Sequence, residues 1–101
     1  MLKISIIEND RKLQVVLEGK LIAPWTNELK SIGQEAEVDL DHRELVIDLR
    51  SVTAISAEGE DELLALMDQG AKFRASGVFM RQVVKHLARR SRRAKGTREK
   101  E

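Results

Sequence analysis

Leu2, Ile4 and Ile6 alternate with Lys3 and Ser5, and Leu13, Val15 and Leu17 alternate with Gln14, Val16 and Glu18. Between the two runs lies the polar interruption Glu8-Asn9-Asp10-Arg11. Period-two patterning on both sides of an Asn-Asp turn predicts a β-hairpin at the start of the chain. A chain of 101 residues is one domain and hides only roughly two thirds of its unfolded surface on folding. Its core is therefore a single contact between layers, and the hairpin needs a second layer to cover its apolar face.

The remainder of the chain changes period. Gly19-Lys20 is expected to break the second strand, and Pro24 is suited to a first helical position because its missing N–H has no partner there. Trp25, Leu29, Ile32 and Ala36 follow at steps of four, three and four, along one helical stripe, with Gly33 weakening its centre. Leu45-Val46-Ile47-Asp48-Leu49 reads as a strand covered on both faces. The next helix is expected from Ala57 or Glu58 to about Arg74, with Leu63, Leu66, Met67, Gly70 and Ala71 inward, and Ser76-Gly77 stopping it. Val78-Phe79-Met80 is then a short apolar strand. Val83, Val84, Leu87 and Ala88 mark a last amphipathic helix whose other face is Arg81, Lys85, Arg89 and Arg90. The order strand, strand, helix, strand, helix, strand, helix predicts an α/β fold: a small mixed sheet with an antiparallel hairpin and right-handed crossovers between its later strands.

Charge divides the chain in two. Residues 1–88 hold 11 basic and 15 acidic residues, and residues 89–101 hold 7 basic and 2 acidic. A mildly acidic domain over 1–88 thus precedes a basic tail over 89–101, expected to be disordered. There is no cysteine, which excludes disulfides, thiolate metal sites and cysteine nucleophiles. Met1 to Ile7 does not resemble a signal peptide, and no apolar run approaches the ~18 residues of a membrane span. The sequence reads as that of a cytoplasmic protein.

Catalytic patterns are sparse. His42, in the polar stretch Asp39 to Arg43, and His86, among basic side chains of the last helix, share no ligand spacing. No phosphate-binding glycine loop, zinc-protease helix or hydrolase nucleophile elbow occurs. No cofactor or metal is implied. Glu58, Glu60, Asp61 and Glu62 could pair for acid–base work, but acids in a first helical turn are favoured by its unpaired N–H groups. The same acids disfavour a bound phosphate there. Ser51, Thr53 and Ser56 have no neighbouring base, and Ser56 is placed to cap the helix. Trp25 belongs to the core stripe, at a helix entrance where part of its ring can line a groove.

Leu17-Glu18-Gly19-Lys20-Leu21, Val46-Ile47-Asp48-Leu49, Val52-Thr53-Ala54-Ile55 and the helix opening Ser56-Ala57-Glu58-Gly59 resemble the STAS domains of sulfate transporters and anti-sigma factor antagonists. The likeness runs from about Leu13 to Gly77. It implies a non-enzymatic binding module with helices mainly on one side of a mixed sheet, docking another protein through the strand-to-helix turn. In the antagonists that turn reads Asp-Ser-Ser-Gly or Asp-Ser-Thr-Gly, and its second hydroxyl residue is phosphorylated by an anti-sigma factor that is a serine kinase. Ser56, Ala57, Glu58 and Gly59 take the four positions in order. Glu58 cannot accept a phosphoryl group, so the resemblance implies a module without the usual switch, and its single charge partly mimics the near-double charge of a phosphoserine. Ser56 is a remote alternative for phosphorylation.

The partner-binding residues implied are Ser56, Ala57, Glu58, Gly59, Asp61 and Glu62, and the partner class an anti-sigma factor or a serine kinase-like regulator. Two other readings stand beside this one. Arg89, Arg90, Arg92, Arg93 and Lys95 could bind nucleic acid or an anionic membrane through phosphate contacts, or merely solvate the domain. The chain also has fewer C-terminal elements than is common among STAS domains, and an exposed sheet edge would favour a homodimer.

Overall fold

A computed structural model describes residues 1–39 and 43–91. Its elements are β1 (Leu2–Glu8), β2 (Lys12–Leu21), α1 (Thr26–Asp39), β3 (Glu44–Ile55), α2 (Ala57–Asp68), β4 (Lys72–Arg74) and α3 (Gly77–Arg90). They build one sheet in the order β1-β2-β3-β4, antiparallel between β1 and β2 and parallel thereafter. This is the α/β mixed sheet expected, with three helices packed alongside.

The hairpin closes on Asn9. Its side-chain oxygen accepts the amides of Arg11 (2.8 Å) and Lys12 (2.9 Å), beside the backbone bond that the Asn9 amide donates to Lys12 O (3.0 Å). Ile4 then pairs with Leu17, and Ile6 with Val15, on one face of the sheet. β2 does not end at Gly19-Lys20. A register shift between Gly19 and Lys20 absorbs an extra residue, and the strand continues to Leu21.

Val15, Leu17 and Leu21 of β2 and Ile47 and Leu49 of β3 form the sheet side of the core. Leu29 of α1, Leu63 and Leu66 of α2, and Met80 and Leu87 of α3 form its helical side. β3 is buried from Leu45 through Leu49, as a strand covered on both faces should be. Val46 lies outside the main core cluster, and Asp48 beside it is 3% exposed. Asp48 is held there by Arg50, two residues on and hence on the same face. The guanidinium donates to Asp48 at 2.7 and 3.0 Å, the Arg50 amide donates at 3.0 Å, and Gln14 Nε2 donates at 3.3 Å. The Arg50 side-chain bonds most of all, helped by the Arg50 amide and the positive charges of Arg50 and Arg74, hold the Asp48 carboxyl below its ordinary value of 3.8 against the opposing effect of burial.

Two boundaries differ from the sequence reading. α1 starts at Thr26, two residues after Pro24, and passes through Gly33 to Asp39. α2 stops at Asp68, six residues before Arg74, because Gly70 takes φ +102°. The Ala71 amide donates to Leu66 O (3.0 Å) and the Gly70 amide to Met67 O (2.9 Å), the paired bonds of a Schellman C-cap. The fourth strand is therefore Lys72–Arg74, beside Val46–Asp48, and Val78-Phe79-Met80 is the first turn of α3 rather than a strand.

Candidate functional site

β3 gives way to α2 at Ser56. Its backbone is extended (φ −93°, ψ 173°), and its hydroxyl accepts the Gly59 amide at 3.1 Å, an N-cap that satisfies one of the unpaired donors of the first turn. The same residue ties the turn to β2. Its amide donates to Leu21 O at 3.1 Å, and its hydroxyl lies 3.5 Å from that oxygen.

Gly59 is buried and completes the attachment. A Cβ there would collide with the Leu21 carbonyl oxygen, and would stand 2.9 Å from Ile55 Cγ1 and 3.0 Å from Leu21 Cγ. Only a residue without a side chain allows α2 to start this close to the end of β2. The two positions between Ser56 and Gly59 behave oppositely, with Ala57 and Glu58 both exposed. A rigidly held backbone thus presents the Glu58 carboxylate to solvent.

Glu58, Asp61, Glu62, Ala65 and Gln69 follow at helical spacing and form one stripe along α2. Asp61 is exposed and faces Arg90 of α3 at 3.6 Å. Both side chains are too open to solvent for this pair to contribute more than a fraction of a kcal/mol, on the order of other surface ion pairs. Glu62, Ala65, Leu66 and Gln69 line one wall of a groove of about 220 Å³, whose other wall is Lys30, Gly33 and Gln34 of α1. The groove is invisible to a reading of single motifs. Its one sequence signal is Gly33, which brings α1 close to Leu66.

The turn residues Ser56 to Gly59 and the helix residues Asp61 and Glu62 therefore share one end of α2. Arg89 and Arg90 lie in the last turn of α3, where Arg90 faces Asp61, and that helix runs two residues past the Ala88 boundary drawn from the apolar pattern. Ser91 follows as the C-cap, 1% exposed, its hydroxyl donating to Asp68 Oδ1 at 2.7 Å. Arg92, Arg93, Lys95 and His42 lie outside the described residues. His86 is exposed on α3, and Trp25 is half-buried against the core. Among the described residues, no three His, Asp or Glu side chains are grouped to hold a metal ion, and no helix is long and apolar enough to cross a membrane.

No protein-family model and no curated protein matches the chain. Solved structures do. The anti-sigma factor antagonist SpoIIAA, in its unphosphorylated form, aligns over 82% of this chain and 82% of its own at 12% identity, with a TM-score of 0.67. An uncharacterised protein from Shewanella loihica with a SpoIIAA-like fold aligns over 90% of this chain and 80% of its own at 14% identity, with a TM-score of 0.55. Identities this low speak for architecture alone, and the strand order, the mixed pairing and the helices alongside agree with them: this chain has the SpoIIAA fold.

Proposed function

We propose that this protein is a regulatory module that acts by binding, and that it docks another protein through Ser56, Ala57, Glu58 and Gly59 together with Asp61 and Glu62. The observation that carries the reading is the contrast within the turn. Ser56 and Gly59 are fastened to Leu21, while Glu58 between them is exposed. A fixed backbone with one outward charge suits recognition, because little is lost in ordering it on binding.

The shared fold with an anti-sigma factor antagonist supports a partner of the anti-sigma factor or serine kinase-like class. In this module Glu58 keeps a permanent negative charge at the first turn of α2, where the helix dipole favours it. The phosphorylation switch is then absent, and the module is held in one state.

The test is binding of a purified partner of that class, found by affinity capture from the native cell, to the wild type and to Glu58→Ser, Glu58→Lys and Asp61→Lys. Charge reversal at a recognition surface is expected to weaken binding by at least ~10-fold. If neither Glu58 variant changes the affinity, the turn is not the interface. Incubation with the partner and ATP is expected to leave the mass of the wild type unchanged, and a phosphoryl group found on Ser56 would restore the switch denied here.

A further inference from the structure

α3 carries four basic residues, Arg81, Lys85, Arg89 and Arg90, and no acidic one. Val78, Arg81, Gln82, Lys85 and Arg89 follow at spacings of three and four and form one stripe, and all five are exposed. Met80 and Leu87, on the opposite side of the helix, seat it in the core. Arg90 has Asp61 as a partner, whereas among the described residues Arg81, Lys85 and Arg89 make no salt bridge. No described carboxylate neutralises these three charges.

The N-terminal end of the helix exposes apolar side chains, Val78 on this stripe and Phe79 beside it. Val78 is 79% exposed and Phe79 56%, two neighbouring large side chains left in water although burial would favour both. An apolar tip joined to a cationic body, with no acid on the helix, is the arrangement of a surface that meets an interface between hydrocarbon and anionic headgroups. Neither half explains the other. Cations alone would suit any polyanion, but a nucleic acid offers only stacking for Phe79 and no apolar phase for Val78.

We propose that the outer face of α3 is an interaction surface for anionic lipid bilayers, with Val78 and Phe79 entering the acyl boundary and Arg81, Lys85 and Arg89 set against headgroup phosphates. This surface is separate from the Ser56–Gly59 turn and does not depend on the function proposed for it. Attachment is peripheral and salt-sensitive, because three cations and two apolar side chains make a small footprint.

Co-sedimentation of the full chain with vesicles of phosphatidylcholine, with and without phosphatidylglycerol, tests the proposal. Binding is expected to the anionic vesicles only and to weaken at high salt. Val78→Ser/Phe79→Ser and Arg81→Ser/Lys85→Ser are each expected to reduce it by at least ~10-fold, since one cation near an anionic leaflet is worth on the order of a five-fold factor. All four positions are exposed, so circular dichroism should report unchanged folding. No binding to anionic vesicles overturns the proposal. So does undiminished binding by both double variants, which would place the affinity in the basic segment beyond Ser91. A loss confined to the charge variant, matched by equal binding to a short DNA duplex, overturns it in favour of phosphate recognition.

Discussion

Gly59 rests against the carbonyl oxygen of Leu21, so closely that the smallest added side chain would collide with it. That oxygen already accepts the Ser56 amide at 3.1 Å, and it belongs to backbone that β2 and β3 hold in register, Leu21 opposite Ile55. The start of α2 is thus positioned by the sheet as well as by its own cap.

Gly59→Ala is therefore expected to destabilise the fold by about 1–3 kcal/mol, the usual cost of overpacking, even though alanine is the better helix former. Gly33→Ala is the informative contrast. A Cβ there meets the Leu66 side chain at 2.8 Å, a methyl that a rotamer change can move, and a mid-helix alanine gains up to about 1 kcal/mol. Urea unfolding at equal m-value should find Gly33→Ala near neutral and Gly59→Ala clearly weaker. Equal effects would mean that the approach of α2 to Leu21 yields as easily as a side chain.

The Ser56 hydroxyl accepts the Gly59 amide in the cap. Ser56→Ala removes this acceptor and is expected to cost about 1 kcal/mol. Ser56→Asp restores an acceptor and should recover most of that loss. Hydrogen exchange at the Gly59 amide reads the same bond locally, accelerating in Ser56→Ala and staying protected in Ser56→Asp. Should exchange at Gly59 be indifferent to both changes, the amide is protected by packing on Leu21 and not by the cap.

The Asp48–Arg50 pair is expected to contribute to the acid sensitivity of the fold. Its carboxyl has a folded-state pKa below the ordinary 3.8, so the native state binds its proton less readily than the unfolded chain. The stabilisation is fully present above the unfolded pKa and is lost as pH falls through the lowered folded value. Asp48→Asn should cost about 1–3 kcal/mol at neutral pH, because a charge-assisted hydrogen-bond set on a buried group is replaced by a neutral one. Denaturant titrations repeated from neutral to strongly acidic pH are expected to show a shallower acid decline in the variant. An acid limb of unchanged steepness would assign the dependence to other carboxylates.

The hairpin and the cap were legible because each is a local pattern. Leu2, Ile4 and Ile6 against Leu13, Val15 and Leu17 declare a one-faced sheet, and a serine before an acidic first turn declares a helix start. Contacts across the fold were not. Nothing near Gly59 in sequence announces Leu21 as its neighbour, and nothing in Asp61 announces Arg90. β4 escaped for a different reason. Lys72-Phe73-Arg74 offers one apolar residue in three, too little to show period two, and the apolar run Val78-Phe79-Met80 a few residues later looks more like a strand than it does. What makes the latter a helical turn is membership of a longer periodic run through Met80, Val83, Val84 and Leu87. The exposure of Val78 and Phe79 is a consequence of that membership, since only Met80 of the three turns inward.

The same stretch supplies a sharp test of what divides α2 from β4. Apolar spacing lets α2 continue through Ala71, and Gly70 at φ +102° is what stops it. Gly70→Ala opposes that backbone conformation by on the order of 1–2 kcal/mol and removes the freedom the Schellman bonds require. Global stability should fall by a similar amount. The local readout separates this from a generic defect: the Phe73 amide should lose exchange protection relative to those of β2 and β3, because β4 is held by only the three pairings from Val46 to Asp48. Gly70→Asn, which tolerates a left-handed conformation better, should fall between the wild type and Gly70→Ala. If Phe73 remains as protected as Ile47 in the alanine variant, β4 is fixed by its own packing, and the boundary does not depend on the glycine.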